Sequence, residues 1–129
     1  MTNYEIYCSA IRLASEIPDS DATQDYEDRA PYLIAAAAHR YAPLDVSYRR
    51  AHDLDEQQLL ALNCFPLTTS FPLSDIFAPA VSSAVAGMLV LEENPKLSDQ
   101  LLKMADSIIS DIQQSIPFKK EKILSHYVF

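Results

Sequence analysis

The chain has 129 residues, a formal net charge of −8 and a single glycine, and these properties exclude several classes of protein. A chain of this length suits one domain that buries about two-thirds of its unfolded surface. One glycine, Gly87, cannot supply the glycine-rich loops that bind dinucleotides or nucleoside triphosphates. The acidic balance disfavours sequence-specific binding of nucleic acid and attachment to an anionic membrane surface.

The charge is unevenly distributed along the chain. Residues 1–117 carry seven basic and seventeen acidic side chains, whereas residues 118–129 carry Lys119, Lys120 and Lys122 against one glutamate. The sequence therefore divides into a domain, 1–117, and a C-terminal arm, 118–129, that is first basic and then apolar.

Two further features of the sequence concern the cellular compartment of the protein. The N-terminal residues lack the basic start and the long apolar run of a signal peptide, so we expect a cytoplasmic location. Cys8 and Cys64 show no paired spacing, which favours free buried thiols in a reducing compartment over a disulfide.

The first predicted helix follows a capping box formed by Thr2 and Glu5 and runs to about Glu16, with one apolar face. Pro18 ends this helix. The polar run that follows is typical of an exposed loop.

The second predicted helix runs from Tyr26 or Arg29 to about Tyr41. Acidic side chains at its start suit the positive end of a helix, and residues 32–38 are rich in alanine, the best helix former. Pro31 either lies in the first turn of this helix or kinks it.

Beyond Pro43 the apolar spacing continues to about His52, which predicts a short third helix or a kinked continuation. Residues 63–73 are predicted to form an extended loop, because two prolines force extended backbone before them. This loop contains Phe65 and Phe71, each followed by proline and leucine. A loop without contacts would expose both rings to water, so we expect this loop to pack on its own domain or on a neighbour.

Residues 76–93 are predicted to form a buried central helix. Within residues 76–91 the only polar side chains are Ser82 and Ser83, so the helix would be apolar nearly all round. This stretch falls short of the roughly 20 residues that cross a bilayer, so no membrane span is expected. Small residues three or four apart should let a neighbouring helix approach closely: Ala80, Ala84 and Gly87.

The last predicted helix begins at a cap on Asn94 or Ser98, has Pro95 in its first turn, and runs to about Ser115. Its apolar stripe consists of Leu97, Leu101, Met104, Ile108 and Ile112. The sequence thus predicts an all-α fold, a single compact domain of four to five helices around the central helix.

The C-terminal arm combines a basic cluster with a run of strand propensity. An apolar strand former at a chain end is an aggregation hazard unless it is paired, so we expect it to dock on another copy of the chain or on a partner. The alternative is that it folds back on its own domain or is disordered in solution. The predicted subunit contacts are Phe65 and Phe71 in the loop, and Lys119, Lys120, Lys122, Ile123, Tyr127 and Phe129 in the arm.

No set of residues has the pattern of a catalytic, cofactor or metal site. His39, His52 and His126 are scattered, and neither cysteine has a partner motif that would activate a nucleophile. Glu92 and Glu93 resemble the metal-binding acids of all-α nucleotide pyrophosphohydrolases, but the second acidic motif of those enzymes is missing from the helix that follows. We therefore expect a protein that is not an enzyme and uses neither a cofactor nor a metal.

Three segments together carry a resemblance to a known class of protein. They are residues 25–41 (DYEDRAPYLIAAAAHRY), residues 71–100 (FPLSDIFAPAVSSAVAGMLVLEENPKLSDQ) and the closing amphipathic helix. In combination they resemble small proteins encoded in the head-tail region of prophages of Gram-positive gut bacteria, and through these the head-tail connector, or neck adaptor, class of tailed phages.

The resemblance implies a helical adaptor that forms a ring of identical subunits between portal and tail. Its partners would be its own copies and a portal or tail-completion protein, and it would pass from the host cytoplasm into the virion. The class carries no catalytic residues. The alternative that the acidic composition leaves open is a bacterial regulatory or inhibitor protein that binds a basic partner.

Overall fold

The computed structural model describes residues 1–14, 24–55, 59 and 62–116, and these residues form the predicted all-α domain. No β-strand occurs in this part of the chain, although Thr2 and Ser70 form an isolated antiparallel bridge. A short 3-10 turn (Asp75–Phe77) precedes the third of four helices. These are α1 (Asn3–Leu13), α2 (Gln24–Ala51), α3 (Ala78–Leu89) and α4 (Pro95–Ser115).

The helix α1 is capped as predicted. The hydroxyl oxygen of Thr2 accepts a hydrogen bond of 3.3 Å from the backbone N–H of Glu5, which satisfies one of the donors that a helix start leaves without a partner. The helix ends at Leu13, before the predicted end near Glu16.

The helix α2 continues past the predicted end at Tyr41. It extends over 28 residues and contains both Pro31 and Pro43, so the predicted short third helix is a continuation of the second. Each proline removes a backbone donor from the helix. Burial on both sides of Pro43 offsets that loss, since Tyr41 lies in the core and the ring of Tyr48 meets the ring of Phe77 edge-on at 6.1 Å.

The helix α3 is the buried centre of the domain, as predicted. Ten of its twelve residues are buried, and it packs against α1, α2 and α4. It is shorter than the predicted range of 76–93, because the chain enters it through the 3-10 turn and leaves it through a turn at residues 90–93.

The predicted stripe of small residues brings α4 close to α3. A Cβ atom at Gly87 would lie 2.8 Å from Cγ of Leu102 and 3.2 Å from the carbonyl oxygen of Ser98. The hydroxyl of Ser98 donates to the Gly87 carbonyl at 2.7 Å, and the hydroxyl of Ser83 donates to the Leu101 carbonyl at 2.6 Å. Both buried hydroxyls are therefore satisfied across the contact between the two helices.

The helix α4 has the predicted ends. Asn94 caps it through a 3.1 Å hydrogen bond from the N–H of Leu97 to the side-chain oxygen, and Pro95 occupies the first position. Its apolar stripe is only partly buried. Leu101 and Ile112 lie in the core, whereas Met104 and Ile108 lie at its edge.

Candidate subunit interface

The two loop rings that the sequence predicted as subunit contacts pack on their own domain. The N–H of Phe65 donates to the carbonyl of Pro31 at 3.1 Å, and its ring centroid lies 5.5 Å from that of His39. The N–H of Phe71 donates to the carbonyl of Met1 at 2.8 Å. Both rings are buried within the single chain. Of the two predicted alternatives, packing on their own domain or on a neighbour, the structure shows the first.

The other predicted contacts belong to the C-terminal arm and lie outside the described residues. They are Lys119, Lys120, Lys122, Ile123, Tyr127 and Phe129. The described chain ends at Ile116, one residue after α4.

An open apolar groove lies where α1, the start of α3 and the middle of α4 meet. It encloses about 540 Å³, and its apolar lining includes Met1, Ile6, Leu13, Pro79, Met104 and Ile108. Met1 and Met104 are 54% and 45% exposed, so the groove presents apolar side chains to solvent.

The side-chain sizes along α3 account for the groove. Its floor contains Ala78 and Ser82, which are small and buried, so the longer side chains of α1 and α4 stand above them as two walls. Sequence periodicity placed Met104 and Ile108 in the core stripe of α4. They instead form a wall of this groove, where Met104 is exposed and Ile108 is half-buried.

The surroundings of the groove are mainly acidic. Among the described lining residues, Arg12 has the only charged side chain. Three exposed carboxylates each lie one helical turn from a lining residue, and residues at that spacing are neighbours on a helix surface. They are Glu5 on α1, Asp75 in the 3-10 turn and Asp111 on α4.

The α1 wall is fixed to the loop by Asn3. This side chain is fully buried, and its amide nitrogen donates to the carbonyl of Pro66 at 3.1 Å and to the hydroxyl of Thr69 at 3.0 Å. The backbone N–H of Asn3 also donates to the carbonyl of Thr69 at 2.9 Å. These contacts hold Met1 and the first turn of α1 at one end of the groove.

The start of α3 is held by a buried carboxylate on α2. Asp45 accepts a 3.1 Å hydrogen bond from the backbone N–H of Ser74 and a 2.9 Å hydrogen bond from Nε of Arg49. The guanidinium of Arg49 also donates a hydrogen bond of 3.0 Å to the carbonyl of Asp55. Our sequence analysis missed this anchor, although the acid and the arginine stand four apart on a predicted helix.

A second hollow of about 450 Å³ lies between α2 and α4 and has charged walls. Arg40, Tyr41 and Asp106 line it, and the guanidinium carbon of Arg40 lies 5.9 Å from the Tyr41 ring centroid. Burial raises the pKa of Tyr41, so its phenol remains protonated at neutral pH.

The described residues bring together few groups that could do chemistry. In residues 1–14, 24–55, 59 and 62–116, no three His, Cys, Asp or Glu side chains are grouped so that they could hold a metal ion. Within the same residues no helix has both the length and the apolar character to cross a membrane. Cys8 and Cys64 are half-buried thiols without a disulfide partner.

Comparison of the chain with protein-family models, with curated proteins and with solved structures finds no match. The function therefore has to be inferred from the residues and from the surfaces that they form.

Proposed function

We propose that the chain is a non-enzymatic adaptor of virion assembly, which joins portal and tail in a prophage-encoded particle as one subunit of a ring. The class of protein comes from the resemblance described above for residues 25–41 and 71–100. The structural observation that supports it is the open apolar groove between α1, α3 and α4.

The groove suits a protein partner better than a small polar ligand. Small-molecule sites usually combine an apolar wall with several converging polar groups. Here the polar lining consists of Ser9, Arg12 and Ser82, on two helices, while the rest is aliphatic or methionine. Exposed apolar surface of this kind marks protein contacts in soluble proteins, and methionine adapts well to a partner's shape.

Two of the resembling segments line the groove, through Ala78, Pro79 and Ser82 in residues 71–100 and through Met104 and Ile108 in the closing helix. Residues 25–41 lie within α2, and residues 71–100 contain the 3-10 turn, α3 and the start of α4. Residues 25–41 and 71–100 together carry seven acidic side chains against three basic ones. An acidic adaptor around a DNA channel would let DNA slide past without adhering to the wall.

The partners that follow from this proposal are further copies of the chain and a portal or tail-completion protein. The molecule would be located in the cytoplasm of the bacterial host until it is assembled into the virion.

The test measures the mass of the full chain by light scattering over a range of concentrations, with electron microscopy of the largest species. An adaptor should self-associate as concentration rises and form rings of one size. A chain that stays monomeric throughout, and also fails to bind a portal protein encoded beside it, would contradict the proposal. Monomers that bind a basic protein would favour the regulator alternative.

A further inference from the structure

We propose that the groove between α1, α3 and α4 binds residues 123–129 of a second copy of the chain, so that each subunit donates its C-terminal segment to the next. This inference rests on the proposed function, because it names the partner that the groove receives in the assembled ring.

The chemistry of the segment matches the groove. In an extended chain alternate side chains point to the same side, so Ile123, Tyr127 and Phe129 share one face. Seven extended residues span about 23 Å, long enough to lie along the α1 wall from Ile6 to Leu13, which is about 10 Å in a helix. The three large side chains can therefore enter the groove while the other face of the segment remains outside.

The charges also match. Lys119, Lys120 and Lys122 immediately precede the apolar run. The carboxylates next to the groove are Glu5, Asp75 and Asp111. Lysines that arrive with the segment would meet these carboxylates, and opposite potentials of this kind raise association rates and fix orientation.

Helix α4 ends in an extended residue and not in a left-handed one. Ile116 has φ −78° and ψ 119°, an extended conformation, and Pro117 follows it. Chains that reverse at a helix end commonly do so through a left-handed residue, usually glycine. Residues 117–122 read PFKKEK and contain no glycine, asparagine or aspartate, the residues that most readily adopt the left-handed conformation.

The arm is long enough to reach a neighbour. Thirteen residues, 117–129, can span up to about 43 Å, whereas a compact domain of this size has a radius of gyration of about 14 Å. A contact from the arm of one subunit to the groove of the next is heterologous, and such contacts close into rings when the rotation permits.

The experiment uses two full-length variants with complementary defects. The donor variant, Met104→Lys, places a charge in the groove wall and keeps its arm intact. The acceptor variant combines Ile123→Asp, Tyr127→Asp and Phe129→Asp and keeps its groove intact. The control for the donor is Leu91→Lys, because Leu91 is 54% exposed in the turn after α3 and does not line the groove. Masses are measured by light scattering.

We expect the natural chain and the Leu91→Lys control to self-associate, and each defective variant alone to remain monomeric. An equimolar mixture of donor and acceptor should form a heterodimer, since one intact groove then meets one intact arm. Removing a single buried ring, as in Phe129→Ala, should weaken association about tenfold or more. High salt should weaken it further, because the lysines then lose their attraction to the carboxylates.

Three results would overturn the inference. A mixture of donor and acceptor that remains monomeric means that the groove does not bind the segment. A natural chain that is monomeric although the mixture forms heterodimers means that the segment occupies its own groove. Undiminished self-association of both defective variants means that subunits meet elsewhere, and in that case the proposed adaptor function survives while this inference fails. Thermal melts of both variants confirm that the domain is folded.

Discussion

The two ends of α3 are stabilised in different ways. At its C-terminal end α4 lies against Gly87, and the hydroxyls of Ser83 and Ser98 are both bonded across the contact. At its N-terminal end no helix of the described residues closes over the surface, and the groove remains. One helix therefore provides both a closed contact and an open one.

The difference shows how a small domain can keep an apolar surface exposed and still fold. Because the open end is not packed on all sides, it is held by two polar side chains. The carboxylate of Asp45 accepts a hydrogen bond from Ser74, and the amide of Asn3 donates to Pro66 and Thr69 in the loop. The closed end relies on a close approach of two backbones. Each end can be perturbed separately.

A large effect is expected from removing the anchor at the open end. Asp45→Ala leaves the guanidinium of Arg49 nearly buried without its carboxylate and the N–H of Ser74 without its acceptor. Breaking a buried pair in this way costs about 3 kcal/mol of unfolding free energy. Denaturant titration measures this loss of unfolding free energy.

The matched control for that variant is Asp99→Ala. Asp99 pairs with Lys103 at the same spacing of four residues, but the two side chains are 63% and 74% exposed, against 5% and 13% for Asp45 and Arg49. The control should leave stability almost unchanged, since exposed pairs are screened by water and salt. Equal losses in both variants would show that Asp45 is no anchor.

A smaller loss is expected when the closed end is overfilled. Gly87→Leu places a side chain where even a Cβ atom meets Leu102 at 2.8 Å, so α4 must move away from α3. Overpacking of this kind costs about 2 kcal/mol. Ala36→Leu on the exposed face of α2 introduces the same leucine side chain without a clash and should melt like the natural chain. A Gly87→Leu protein as stable as this control would refute the close approach.

A loss of about 1 kcal/mol is expected from Ser98→Ala. Its hydroxyl donates to the Gly87 carbonyl, which belongs to the last turn of α3, where helix carbonyls lack a partner within the helix. Ser110→Ala, at an exposed position of α4, is the control and should have no measurable effect. Chemical denaturation of the two variants side by side decides the matter, and indistinguishable midpoints would contradict the role of Ser98.

The smallest effect on stability is expected at the open end itself. Met104→Lys should change the unfolding free energy by less than about 0.5 kcal/mol, because the side chain already extends into solvent. Leu101→Ala, on the buried side of the same helix, should cost about 2 to 5 kcal/mol. A strongly destabilised Met104→Lys protein would mean that the groove is part of the core.

Local signals in the sequence were enough to predict much of the fold. The start of α4 follows from Asn94 and Pro95, the start of α1 follows from Thr2, and the close approach at Gly87 follows from small residues at helical spacing. Each of these depends on residues a few positions apart, which is the range over which caps and periodicity act.

Features that depend on distant residues were not predicted, or were predicted only as one of two alternatives, as for the chain beyond Pro43. The continuation of α2 through Pro43 depends on the contact of Tyr48 with Phe77, 29 residues later. The role of Asp45 likewise depends on a residue 29 positions away, Ser74, whose N–H donates to its carboxylate. The groove could not be read from periodicity either, since it arises from the spacing of three helices.

The attachment of Asn3 to Thr69 joins residues that are 66 positions apart, and this separation bears on the order of folding. Contacts between α3 and α4 join residues 11 to 18 apart and can form early, whereas closing the longer loop costs more entropy and slows the steps that depend on it. We therefore expect α1 to dock last. Mutations in α1 should accelerate unfolding and leave the folding rate nearly unchanged, and a clear slowing of folding would contradict this order. Because α1 supplies one wall of the groove, a subunit that has not finished folding would have no complete groove with which to bind another.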